Sequence, residues 1–440
     1  MEGLTIYLMA TLVHIIIWCV LYRLHMGYTD VFDPFYLISA LYIMIFVFGP
    51  WVWISRGQTS YQGVEVMSYL PKGTFVFNIG FFFYVMGSYS KRNIRFTLGN
   101  RALNHSTNNE LKKIDYQNRN IQKYIVKYAI VLFSVSMVLS LLYYRLIGRS
   151  LLSLLTFGNM GETVEGREAS GLYFLKCFFR SAIPGAIMMV SFSRRKVVPW
   201  LCAVVLSVIC ISTGSRNLAI TVILSIFIYQ YISKKKRPKI FTLVLLIVSF
   251  YFLIGIVGIF RGAMKASAGM DFSQVNSDAL FDAFMYNAEI FYPFYNLVEY
   301  IPKYANYHCG LGILNIVVQF IPRALWPGKP TMLGKTALEV MYGDSMGGAA
   351  YPNIGEFYYE FGIVGVIVFM FAYGRIMQGV YYKAVQKEDK LSQLMFAINF
   401  GYIIQFVCRG HFASWAIDYV FMLGPVVLLQ YFLRKRYSKG

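Results

Sequence analysis

Two short runs in this chain place acid–base groups beside turns. The first is Asn353-Ile354-Gly355-Glu356-Phe357-Tyr358-Tyr359-Glu360-Phe361-Gly362. Glu356 and Glu360 are four apart, so a helix here puts both carboxylates on one face. The second is Cys408-Arg409-Gly410-His411-Phe412, a histidine beside an arginine in a short turn. His308 stands in a third turn, just before Cys309-Gly310. A carboxylate or an imidazole so placed suits proton transfer to or from a hydroxyl. Glu356 has a second explanation, because negative charge at a helix N-terminus is favoured by the helix dipole. Glu356, His308 and His411 are the candidate catalytic residues. Glu356 ranks first, since a lone histidine is more often structural.

Arginines supply the complementary chemistry. Arg216 follows Ser212-Thr213-Gly214-Ser215 in a very short turn between two apolar runs, and Arg261 directly follows another apolar run. Arg323 lies between Pro322 and Pro327, with Trp326, Lys329 and Lys335 close behind. Arg409 is the fourth. A guanidinium offers a planar fork of donors that matches phosphate oxygens. Four of them on one side of a membrane make a site the size of a pyrophosphate. The alternative for each is an interfacial arginine that snorkels to lipid headgroups. Trp326, Tyr351 and Tyr358 are candidates to stack on sugar rings, or else plain membrane anchors.

The chain shows no Walker A loop, no HExxH, no Cys/His metal spacing and no outer-side DxD. The expectation is therefore an anion held by arginine, with no cofactor and no metal. The six cysteines contain no CxxC pair.

These groups sit in a chain of 440 residues that is 57% hydrophobic and 14% charged, with a mean hydropathy of +0.53. Only a polytopic membrane protein needs so much apolar surface. The net charge of +20 is not read as nucleic-acid binding, because the basic residues fill short loops between apolar runs, as the positive-inside rule describes. A span needs roughly 20 mostly apolar residues, which predicts eleven helices over residues 4–21, 35–53, 73–89, 128–146, 172–192, 197–211, 218–232, 240–258, 357–377, 391–408 and 413–433. The expected class is all-α, with one large extracytoplasmic loop. Residues 1–258 hold the first eight spans, 259–356 form the loop with short helices, and 357–440 hold the last three spans and a basic tail. Five basic clusters, around Lys112, Arg195, Lys236, Lys387 and Arg436, then share one side, the cytoplasm, with the N-terminus outside.

The 259–356 segment differs in character from the rest. From Arg261 to Glu356 it is near neutral, rich in Tyr and Phe, and holds six of the 13 prolines. Its apolar run at 310–320 is about half a span long, which predicts a re-entrant or interfacial helix.

The Ser212-to-Arg216 turn, the large late loop, the IPRALWPGKP run at 321–330 and the NIGEFYYEFGIVG run at 353–365 together resemble the Wzy polymerases, the O-antigen and capsule repeat-unit polymerases of bacteria. The resemblance covers roughly Ile211 to Phe412. It implies a GT-C-like membrane glycosyltransferase that joins undecaprenyl-pyrophosphate-linked oligosaccharides at the outer face of the bacterial cytoplasmic membrane. It also implies that Arg216, Arg261 and Arg323 serve the diphosphate, and it brings the lipid bilayer and a chain-length regulator in as partners. The alternatives are an O-antigen ligase, which shares the donor, and a flippase or other transporter. A flippase usually shows paired repeats or mid-span charges.

Overall fold

The computed structural model describes residues 2–27, 29–61, 63–93, 116, 118–146, 148, 173–212, 216–265, 276–286, 288–318, 321, 325–326, 328, 341–342, 350–386 and 389–437, the side chains of 2, 90–93, 173, 216, 260–265 and 386 excepted. Its helices are α1 (Glu2–Met26), α2 (Pro34–Ser55), α3 (Leu70–Asn93), α4 (Arg119–Leu146), α5 (Phe174–Phe192), α6 (Val197–Ser212), α7 (Arg216–Ile232) and α8 (Ile240–Lys265). Three short ones follow, α9 (Ser277–Met285), α10 (Phe291–Tyr300) and α11 (Leu311–Val318), then α12 (Asn353–Gln386), α13 (Lys390–Cys408) and α14 (Phe412–Tyr437). The one sheet among the described residues is a hairpin, Ser60–Tyr61 with Val64–Glu65. Each segment expected to span is helical. Eight of these helices, α1, α2, α4, α5, α8, α12, α13 and α14, are long and apolar enough to cross a membrane, while α6 and α7 are apolar but shorter. α3 mixes its apolar run with Lys72, Asn78 and Ser88 and ends in Lys91 and Arg92.

The central contact is α3 against α12, and small residues make it close. A Cβ on Gly87 would lie 2.0 Å from the Phe371 carbonyl oxygen, and one on Gly374 would lie 2.1 Å from that of Tyr84. Backbones in lipid approach this closely only where side chains are small. α7 packs on α13 in the same way: Gly401 faces Ser225, and Asn217 Nδ2 donates to Gln405 Oε1 at 2.6 Å.

The basic clusters gather at one end of the bundle. Arg237, after α7, forms a two-pronged ion pair with Asp30, between α1 and α2. Lys390 Nζ donates to the Ser233 carbonyl at 2.5 Å, Tyr116 donates to Asp389 at 2.5 Å, and Lys196 lies within electrostatic reach of Lys234. The α9–α11 segment lies at the other end, where Arg56 pairs with Asp282, and Lys72 and Lys303 with Glu299.

The α9–α11 segment is not all surface. α10 is buried along almost its whole length. Gly73 of α3 makes room for the Tyr295 ring, and Gly49 of α2 for Phe291. α11 takes up the apolar run at 310–320; it buries Gly312, Asn315 and Val318 and exposes Leu311, Leu314 and Val317.

The span expected at 357–377 is divided. Phe361 (φ −141°, ψ 22°) and Gly362 (φ 60°, ψ −146°) break α12, and residues 353–360 fold back along 363–370. Ile354 and Val366 both meet the site of a Cβ on Gly80, at 2.5 and 2.9 Å, and the Phe357 and Phe369 rings stack at 5.2 Å. In a straight helix such pairs would stand about 18 Å apart. Gly362 supplies the left-handed turn. Gly365 makes the reversal tight, since a Cβ there would lie 2.2 Å from the Phe357 carbonyl oxygen.

Candidate active site

The folded-back helix at 353–360 begins after Pro352, and the Asn353 side chain holds its start: Oδ1 accepts from Ile354 N at 3.0 Å and from the Tyr42 hydroxyl at 3.0 Å. Its two carboxylates do different work. Glu360 is fully buried. Its Oε2 accepts from Gly310 N at 2.8 Å, and its Oε1 from Gly312 N at 3.1 Å, with His308 Nδ1 at 3.3 Å. These amides open α11, so Glu360 caps that helix. The break at Phe361 leaves the carbonyls of Tyr359 and Glu360 to accept from His308 N and Cys309 N, both at 2.9 Å. Gly312 is required here, because a Cβ would lie 2.1 Å from Glu360 Oε1. Glu360 thus has partners on both oxygens and ties the 308–312 turn to the reversal.

Glu356 is equally buried but half satisfied. Its Oε1 accepts from Phe412 N at 3.1 Å, which caps α14 rather than its own helix. Its Oε2 is buried and makes no hydrogen bond of good geometry with the described residues. The Tyr351 hydroxyl lies beside this carboxyl, also buried and without a hydrogen bond of good geometry. Tyr351 is held in turn by its carbonyl, which accepts from Gly410 N at 2.8 Å. His411 precedes α14, and its Nδ1 accepts from Ala413 N at 3.1 Å and Ser414 N at 3.4 Å. Burial pushes the His411 imidazole down to about 4, so the ring is neutral at physiological pH. Electrostatic contact with Glu360 and His308 places His411 in the same group. The two carboxylates and two histidines therefore meet where α11, α12 and α14 join, at the end opposite the basic loops.

The model of the O-antigen polysaccharide polymerase Wzy family matches residues 3–439. This chain belongs to the Wzy family. No solved structure matches it.

In this Wzy chain the described residues place the remaining candidates as follows. Arg409 caps the end of α13 and is exposed; its carbonyl accepts from Trp415 Nε1 at 2.9 Å. Trp326 is 38% exposed. Tyr351 and Tyr358 are buried, and the Tyr358 hydroxyl donates to the Ile301 carbonyl at 3.1 Å, so neither presents a ring face for stacking on a sugar. The Arg216 backbone opens α7 beside the end of α13, next to the Asn217–Gln405 bond, and that of Arg261 lies in the last turns of α8. The side chains of Arg216 and Arg261, and Arg323 and Lys329 altogether, lie outside the described residues. Among the described residues no group of three or more His, Cys, Asp or Glu is placed to hold a metal ion.

Sequence reading missed two features of this Wzy chain. One is Asn315, one turn beyond Gly312 on α11, buried with its Oδ1 unpartnered. No local signal marks it, because an Asn in an apolar run reads only as a weak break. The other is the ion pair of half-buried Arg180 on α5 with buried Asp418 on α14, to which the Tyr402 hydroxyl also donates. Lone charges inside apolar runs were the available signal.

Proposed function

We propose that this chain joins undecaprenyl-pyrophosphate-linked oligosaccharide repeat units into O-antigen or capsular polysaccharide at the outer face of the cytoplasmic membrane. In this reading the eleven expected spans cross the bilayer in a GT-C-like arrangement, and the Glu356 site lies outside. Membership of the Wzy family supports polymerisation. The observation that carries the chemistry is the contrast between the two buried carboxylates: both Glu360 oxygens are occupied, and Glu356 Oε2 is open. A hydroxyl of the incoming lipid-linked repeat donates its hydrogen to Glu356 Oε2. Its oxygen attacks the anomeric carbon of the growing chain, a glycosidic bond forms, and the bond to undecaprenyl pyrophosphate breaks. The leaving diphosphate carries away the bonding pair, and Arg216, Arg261, Arg323 and Arg409 offset its charge. The energy stored in that bond removes the need for a nucleotide or a cofactor.

The test is polymerisation of purified lipid-linked repeat by folded variants. Glu356→Gln keeps one acceptor for Phe412 N but cannot take a proton, so turnover falls roughly 10²–10⁴-fold. Glu360→Gln, which leaves one of the two α11 amides without an acceptor oxygen, lowers thermal stability more than it lowers turnover of the protein that remains folded. Near-normal turnover by Glu356→Gln would eliminate it as the base.

A further inference from the structure

We propose that His411 is the site's fixed hydrogen-bond donor, holding its proton on Nε2 and offering it to a sugar hydroxyl oxygen of the acceptor glycan. This rests on the polymerase reading for the identity of the ligand and on the fold alone for the state of the ring.

The tautomer follows from the cap. Nδ1 accepts two backbone amides at the start of α14, so its lone pair points at them and it carries no hydrogen. A neutral imidazole then has its single N–H on Nε2. That atom is buried and meets no acceptor among the described residues within hydrogen-bond distance. A histidine in this state cannot accept a proton at Nε2, which removes it as the alternative base and makes it a donor.

The ligand class follows from the company His411 keeps. Glu356 Oε2, the Tyr351 hydroxyl beside it and Asn315 Oδ1 are buried in the same region and make no hydrogen bond of good geometry with the described residues. Glu356 touches Phe412 N, the residue after His411, and lies beside Tyr351. Asn315 lies on the face of α11 whose Gly312 abuts both glutamates, with a Cβ there 3.3 Å from Glu356 Oε1. Buried polar groups left unmatched in this number mark a place for a polar partner. The set comprises one carboxyl, which burial pushes up to about 8, one amide acceptor, one donor and one hydroxyl that does either. An ionised phosphate brings only acceptors, and His411 Nε2–H is the one fixed donor of this set, so the Asn oxygen and the Glu356 carboxyl offer it little. An alcohol both donates and accepts, so a glycan with several hydroxyls matches both Glu356 Oε2 and His411 Nε2. The diphosphate is thereby excluded from this spot and left to the arginines.

Two measurements on the full-length protein test the proposal. ¹⁵N spectra of histidine-labelled wild type at neutral pH, with His411→Asn as the assignment control, should show the Nε2–H form at this position. An Nδ1–H form or an imidazolium would overturn the idea, whatever the variants do. In acceptor-dependent kinetics, His411→Asn keeps an oxygen for the α14 cap but has no donor at the Nε2 position. Its melting temperature should stay near wild type while KM for the lipid-linked acceptor rises roughly tenfold, the loss of one buried donor–acceptor contact. His411→Gln places an amide N–H near the Nε2 position and should recover part of that loss at some expense of stability. An unchanged acceptor KM in a folded His411→Asn protein would sink the proposal. A wild type with no activity on lipid-linked repeats would instead refute the polymerase reading, and the spectrum would still decide the donor state.

Discussion

Glu356 and Glu360 look interchangeable in the sequence, four apart on one helix, and the structure separates them by what surrounds each oxygen. Glu360 receives the amides of Gly310 and Gly312, and Glu356 receives that of Phe412 on one oxygen, with the Tyr351 hydroxyl beside it. The expectation that Glu356 caps a helix is therefore right about capping and different about which helix. His411 gives a pH signature at the same scale. Its folded value of about 4 lies below the unfolded value of about 6.5. The unfolded chain then binds a proton that the folded chain refuses, so the stability present above about pH 6.5 is lost as pH falls toward 4, at up to about 1.4 kcal/mol per pH unit. Thermal unfolding in detergent at pH 7.5 and pH 5 should show wild type losing more stability than His411→Asn. Equal losses would mean that His411 is protonated in the fold.

At the scale of elements, the decisive feature is the reversal inside α12. It converts what reads as one long span into a short helix that carries the carboxylates and a long helix packed on α3. Gly365 is the test position, because its Cβ would strike the Phe357 carbonyl oxygen. Gly365→Ala should destabilise the protein by about 1–3 kcal/mol, the usual penalty for overpacking, and should depress polymerisation beyond what the lost folded protein explains. Gly424 in α14 is the control, since a Cβ there meets nothing within 4 Å; Gly424→Ala should be neutral or slightly stabilising, as helix propensity favours Ala by up to about 1 kcal/mol. Melting curves of the two variants separate crowding at the reversal from a general effect of replacing glycine.

For the whole molecule, the basic loops gather at one end, and the Glu356 site and the α9–α11 segment lie at the other. The polymerase reading makes the basic end cytoplasmic. Single cysteines introduced on a cysteine-free background at Lys303 and Asp282 should react with a membrane-impermeant reagent in intact spheroplasts, and one at Lys236 should not. Labelling at Lys236 alone would invert the molecule and put the site on the wrong face for an outer-leaflet glycan.

Period, hydropathy and charge are local quantities, and they were enough to mark the helices. Residues 391–408 and 413–433 were expected, and Lys390–Cys408 and Phe412–Tyr437 are found. The half-length helix at 310–320 was legible for the same reason, and Glu356, His308 and His411 stand out in the sequence as polar groups beside turns in an apolar chain. Tertiary contact alone decided the rest. Only the fold-back of 353–360 shows that Gly362 and Gly365 reverse the chain, because in sequence they look like ordinary small residues of a span. The pairing of Arg180 with Asp418 joins residues 238 apart. The free oxygen of Glu356 and the free nitrogen of His411 depend on which amides from α11 and α14 reach them, and residue type and spacing do not encode that.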